Sequence, residues 1–160
     1  MPFPDKTFDR VATESVLENA SDQRVMLSEI NRVMRSDGVL FVSTPNKYSP
    51  GPDPHVGIWG GSLLPPKWLA AIVRRQGGIP PQRHLLSAGS LTRVMRDAGL
   101  GRIQFLLPQI PDLQRNMSGF MMRWIIDLYN ALRPIPIGRK LMLAIGPILQ
   151  AIAFKESVHG

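Results

Sequence analysis

The chain has 160 residues, no cysteine and a formal net charge of +7, with 44% hydrophobic and 19% charged residues. This size and apolar content suit one domain with its own core and argue against disorder, while the lack of cysteine excludes disulfides and thiolate metal sites. The basic excess admits nucleic acid, an anionic membrane surface or an acidic substrate as partners; because the Lys and Arg are scattered, with no basic run interleaved with aromatics, nucleic acid is disfavoured.

Residues 8–46 organise the chain. Phe8 to Thr13 is a short β-rich run. Asp22 stands where a helix N-cap belongs, and Met26, Leu27, Ile30, Val33 and Met34 recur behind it at helical spacing. Ser36-Asp37-Gly38 reads as the stop of that helix, with Gly38 taking a left-handed conformation. Val39 to Ser43 is a nearly continuous apolar strand, as expected where helices cover both faces of a sheet. Strand, covering helix and second strand predict a right-handed crossover with parallel strands, the unit of doubly wound α/β folds.

Lys47 to Gly61 is rich in proline and glycine and must be a loop, leaving the carboxyl end of the second strand where open α/β sheets bind ligands. Leu64-Pro65-Pro66-Lys67 starts a helix with Trp68, Leu69, Ile72 and Val73 on its apolar face, and Gly77-Gly78 ends it. A helix over 88–98 closes at Gly99, and Arg102 to Leu107 alternates like a strand. Gln109 to Arg115 reads as a linker. Met117, Phe120, Met121, Trp124, Ile125, Leu128 and Leu132 mark one side of an amphipathic helix, with Ser118, Arg123, Asp127, Asn130 and Arg133 on the other. Such a helix ordinarily packs as a lid on the sheet; the alternative is an interfacial helix showing Trp124 to lipid, with Arg115, Arg123, Arg133, Arg139 and Lys140 meeting anionic headgroups. Pro134 to Gly138 breaks it, and a short helix over 139–145 is expected. Residues 148–155 fit a strand, with a helix almost as well supported by the residues alone. The run Leu141 to Phe154 is interrupted at Gly146-Pro147 and Gln150, and falls short of the ~20 residues of a spanning helix. No charged-then-apolar leader precedes the first strand, which points to the cytoplasm, with peripheral membrane contact through 117–133 as the variant.

Several segments also carry a resemblance. Met1-Pro2-Phe3-Pro4-Asp5-Lys6-Thr7-Phe8-Asp9 resembles the "LPFPDxSFD" segment of class I S-adenosylmethionine-dependent methyltransferases, and Glu14 to Asn19 their "EVLEHV" segment. Glu29 to Gly38 with Ser43-Thr44-Pro45-Asn46 resembles "EIxRVLKPGG…STPN". Three such segments in order are fairly specific. The close match covers the first third of the chain and weakens beyond it. The resemblance implies a partial Rossmann-like sheet of about four strands with a helical C-terminal cover. It also implies that the glycine-rich cofactor loop and the first three strands of the family lie upstream of Met1, so that 1–160 is the C-terminal half of one domain from a truncated or misassigned start. Within it, 1–46 would be the strand–helix–strand core, 47–87 the loop and helix insert, 88–108 a helix–strand pair, and 109–160 the amphipathic helices and final strand. Gly99-Leu100-Gly101 follows a helix, so it does not replace the missing loop.

The activity implied is methyl transfer from S-adenosylmethionine to a small or lipid-like acceptor, weak or absent in this chain alone. A sulfonium donor is already activated, so the protein mainly aligns the reactants and excludes water. Glu14, Ser15 and Val16 would border the donor's methionine end, and Phe3, with Pro4, its adenine; otherwise Phe3 is a hydrophobic anchor and Glu14 a solvated acid. Asn19 stands where the family has His, leaving a turn or capping role, and Glu18 is expected to be solvated. His55, near Tyr48 and Trp59 in the crevice loop, is the candidate base or acceptor-orienting residue, against a structural loop histidine; Tyr48 and Trp59 are candidate acceptor contacts. His84 is expected to be structural. No His/Asp/Glu cluster has metal-ligand spacing, so no metal is expected. The alternative is a non-catalytic half-domain, binding a membrane surface or a partner chain that supplies the other strands through an open sheet edge.

Overall fold

The computed structural model describes residues 1–51 and 57–155 of the chain. Four strands form one sheet in the order β1-β2-β4-β3, with β1 Phe8–Glu14, β2 Met34–Pro45, β3 Leu100–Leu106 and β4 Ile148–Lys155. β1 and β2 run parallel, pairing Val11 with Leu40 and Ala12 with Phe41, joined by α1 Gln23–Val33. The expected crossover is therefore present. β4 is a strand, antiparallel to both β2 and β3, which settles the open reading of 148–155. Its residues alternate, with Leu149, Ala151 and Ala153 buried and Ile148 exposed.

The cap expected at Asp22 forms, and a second, at Ser87, accompanies it. The Asp22 carboxylate accepts from the Val25 N–H at 3.0 Å. Ser87 and Ser90 make a reciprocal capping box at the start of α3, Ala88–Asp97. The end of α1 differs from expectation. Met34 is already extended and pairs with Phe8, and the register jumps from Phe8/Met34 to Arg10/Val39. Gly38 therefore sits in a bulge instead of a helix stop, and a Cβ there would lie 2.9 Å from the Arg35 carbonyl oxygen. Gly99 does close α3 with a left-handed φ of 78°, against the Asn31 side chain, which donates to Ala98 O at 2.8 Å.

The core lies between the sheet and the helices α1 and α3. Leu27 and Ile30 from α1 and Leu91 and Met95 from α3 meet Leu40, Val42, Leu149 and Ala151. On the opposite face Val39, Phe41, Ile152 and Phe154 are only half-buried, so cover on both faces, inferred from the apolar run of β2, is not observed. Arg102 lies over the Phe154 ring there, 4.4 Å from its centroid.

α2, Pro66–Arg75, buries Leu69 and Val73, but Trp68 points to solvent. The stretch read as a linker contains α4, Asp112–Met117. α5 spans Phe120–Leu132 and α6 Pro136–Ile145, three residues longer at its start than expected. The apolar side of α5 is not packed as a lid. Phe120 is 91% exposed and Trp124 65%, and among the described residues of α5 only Ile126 is a buried hydrophobe. No helix among the described residues is long and apolar enough to cross a membrane.

Candidate functional site

The parallel pairing brings the carboxyl ends of β1 and β2 side by side, with Glu14 opposite Ser43. The Ser15 N–H donates to Ser43 O at 2.9 Å, and Ser15 itself is left-handed at φ 52°. A side chain rarely takes that conformation, so the turn stores strain where the chain leaves the strand. It presents Glu14, Ser15 and Val16 to solvent at the crevice. Leu17–Asn19 then makes one 3-10 turn, with Asn19 Nδ2 donating to Ser15 O at 3.1 Å.

Glu18 is fully buried, which corrects its expected solvation. Its Oε2 accepts from Thr44 Oγ1 at 2.9 Å, and its carbonyl accepts the His84 N–H at 2.7 Å. His84 O in turn accepts from Gln23 Nε2 at 2.7 Å. Asn46, also buried, donates from Nδ2 to Leu143 O and Ala144 O and accepts the Tyr48 N–H on Oδ1. It thereby holds the last turn of α6 against the end of β2.

Beside these groups a cavity of about 520 Å³ is lined by Lys47, Leu63, Leu69, Ala70, Arg83 and His84 among others. One wall is apolar and the rim carries basic and imidazole groups. That combination suits a ligand with an apolar body and an anionic or polar end. The wall comes from α2 and the rim from two loops, so no single stretch of sequence displays it.

The expected site residues are only partly brought together. Glu14, Ser15 and Val16 share the crevice. Phe3 does not join them: its ring packs edge-to-face on Phe8 at 5.0 Å, and Arg32 Nη2 holds its carbonyl at 2.9 Å. Phe8 and Glu14 are the two ends of a seven-residue strand, about 20 Å at ~3.3 Å per residue. Phe3 therefore packs on Phe8, away from the Glu14–Val16 turn. Tyr48 and Trp59 are more than half exposed and do not line the cavity; Lys47 Nζ sits 5.6 Å from the Tyr48 ring centroid. His55 lies outside the described residues. Among the described residues no group of three or more His, Asp or Glu is arranged to hold a metal ion. Thr44, Asn46, Lys47, Arg83 and the buried state of Glu18 were missed; the Ser43-Thr44-Pro45-Asn46 string was the one available signal for the first two.

The parallel crossover, the antiparallel β4 inserted between β2 and β3, and the crevice at the carboxyl ends of β1 and β2 define the class I methyltransferase fold. Residues 1–42 match the methyltransferase domain family. It is 46% identical over 55 residues to a probable S-adenosylmethionine-dependent methyltransferase of Mycolicibacterium smegmatis, covering 33% of this chain and 21% of that protein. It is 29% identical over 112 residues to the ubiquinone/menaquinone biosynthesis C-methyltransferase UbiE of Bordetella avium, covering 66% of this chain and 42% of that one. The chain thus spans between about a fifth and two fifths of the curated relatives it matches. Among solved structures, an S-adenosylmethionine-dependent methyltransferase of Thermotoga maritima superposes with a TM-score of 0.55 at 15% identity, over 98% of this chain and 60% of that one. A Haloferax volcanii methyltransferase solved with its Trm112 activator gives 0.55 at 17%, over 100% and 59%.

Proposed function

We propose that this chain takes part in methyl transfer from S-adenosylmethionine to a small or lipid-like acceptor, forming the acceptor-side wall of the site. The observation that carries this reading is the open turn Glu14–Val16 at the carboxyl end of a parallel crossover, inside the segment that matches the family. When bound, the donor supplies an activated methyl group, so the protein's task is alignment and exclusion of water. The residues present fit one side of such a donor. Glu14 offers an exposed carboxylate to an ammonium, and Ser15 and Val16 offer a polar and an apolar contact beside it. The cavity behind His84 offers the acceptor an apolar wall at Leu63 and Leu69, with Lys47 at its rim.

β1 is an edge strand, and among the described residues no strand runs through a glycine-rich turn into a helix. The chain alone therefore grips the donor weakly. Saturation-transfer NMR with S-adenosylhomocysteine should detect contact that Glu14→Ala removes, while isothermal titration should stay weaker than micromolar. Complete absence of contact sinks the donor reading, and micromolar affinity sinks the claim of a weak grip.

The free edge of β1 favours a second reading, a half-domain that binds a partner chain adding strands beside Phe8–Glu14. Co-purification of a chain bearing the glycine-rich loop supports it; a stable monomer that turns over acceptor unaided excludes it.

A further inference from the structure

The least protein-like surface of this molecule is on α5 and α6. Phe120, Trp124 and Leu128 stand four residues apart on α5 and are all exposed, and Ile137, Leu141 and Ile145 repeat that spacing on α6, again exposed. The helices touch each other. Six large apolar side chains on neighbouring helices exceed the scatter of single hydrophobes normal on a soluble surface.

The free edge of the sheet does not account for this. α4, α5 and α6 connect β3 to β4, and β3 is the edge opposite β1. α5 is fastened at that far side: Tyr129 Oη donates to Pro108 O at 2.9 Å, Asn130 Nδ2 to Ile110 O at 3.1 Å and Arg133 Nη1 to Leu107 O at 3.3 Å. Strands added beside β1 would leave the apolar stripes uncovered.

The charge around the stripes selects the occupant. Residues 109–145 carry five Lys and Arg against two Asp. Asp127 is taken up by Arg115, whose Nε and Nη2 donate to it at 2.5 and 2.7 Å. Arg123 and Arg133 donate to main-chain carbonyls, Arg139 Nη2 donates to Phe105 O at 2.5 Å, and none of these neutral acceptors cancels charge. Among the described residues, no carboxylate pairs with Arg123, Arg133, Arg139 or Lys140. Exposed aromatic and aliphatic groups ringed by uncancelled cations complement an anionic lipid surface, where apolar side chains enter the acyl boundary and cations stay at the phosphates.

We propose that α5 and α6 dock this chain on an anionic membrane. The inference goes beyond methyl transfer and does not need it, since its readout is lipid binding. It also has a consequence for the site. Asn46, at the end of β2, holds the carbonyls of Leu143 and Ala144 in the last turn of α6, which ties the docking helices to the carboxyl end of the strand that borders the crevice.

The test is co-sedimentation of the 160-residue chain with phosphatidylcholine vesicles, with and without phosphatidylglycerol, at low and high salt. Binding is expected only with phosphatidylglycerol, and should fall as salt rises. The Phe120→Ser/Trp124→Ser double variant should bind at least about tenfold more weakly, and Lys140→Glu at least about fivefold. These side chains are exposed, so circular dichroism should be unchanged and confirms folding. A variant keeping Trp124 alone among the tryptophans should shift its emission to the blue on vesicles. No pelleting with anionic vesicles, or equal pelleting of the double variant, overturns the proposal. So does self-association of the native chain that the double variant abolishes without any lipid binding, which would assign the stripes to a second copy.

Discussion

Thr44 Oγ1 donates to Glu18 Oε2 at 2.9 Å, joining the turn after β1 to the end of β2 beneath the crevice. Glu18 is fully buried and Thr44 nearly so, so this bond is made where water does not replace it. Thr44→Val keeps the shape and removes the donor. The cost should be about 1–3 kcal/mol in urea unfolding, because a buried acceptor loses a partner. Thr44→Ser, which retains the hydroxyl, should recover most of it. Equal stability of Thr44→Val and the native chain would show that Glu18 is held by its other contacts alone.

The two faces of β2 give a second prediction. Val42 is fully buried against α1 and α3, whereas Val39, three residues earlier on the other face, is half-buried. The same substitution should then give two results. Val42→Ala should cost about 1.5–3 kcal/mol, as both transfer and cavity terms apply. Val39→Ala should cost less than about 1 kcal/mol. Parallel chevrons or urea midpoints for the two variants decide the matter, and equal losses would mean that the open face is covered in solution.

These contrasts also show which parts of the structure were legible in the sequence. The crossover was, because its signals are local: Asp22 caps α1, and Leu27 and Ile30 repeat at helical spacing behind it. The role of Gly38 was not, since a bulge exists only once Met34 has paired with Phe8. Residues 148–155 became a strand through Phe41 and Phe105 on its two neighbours, which local periodicity does not reveal. The apolar side expected of α5 is exposed at Phe120, Trp124 and Leu128, and periodicity identifies a face without saying what covers it. At the site, the resemblance drew attention to Glu14–Val16, while Lys47, Arg83 and His84 meet only after two loops and α2 have folded together.

Lys155 offers a third prediction. Its Nζ donates to Asn31 O at 2.7 Å and Met34 O at 2.9 Å, carbonyls at the end of α1 that have no helical partner ahead of them. A cation there also answers the negative end of the helix dipole. Lys155→Met keeps the stem and removes the donors, and should lower stability by about 1–3 kcal/mol. Thermal and urea unfolding should agree in direction. A neutral result would show that water satisfies both carbonyls equally well.

The last prediction concerns the amino-terminal strap. Glu29 accepts from Arg32 Nη2 at 2.7 Å and from the Met1 ammonium at 2.5 Å, while Arg32 also pairs with Asp5 and holds the carbonyl of Phe3. The Arg32 bond, and then the ammonium, pull the Glu29 carboxyl from its ordinary 4.5 down to about 2. A carboxyl depressed on folding contributes stability that is complete above its unfolded value and fades as pH falls through its folded one. The contribution of Glu29 is therefore present above pH 4.5 and lost as the pH drops toward about 2. Urea midpoints of the native chain should fall across that interval more steeply than those of Glu29→Gln, which has no proton to gain. Identical slopes would show that the strap is open in solution, with Phe3 released from Phe8.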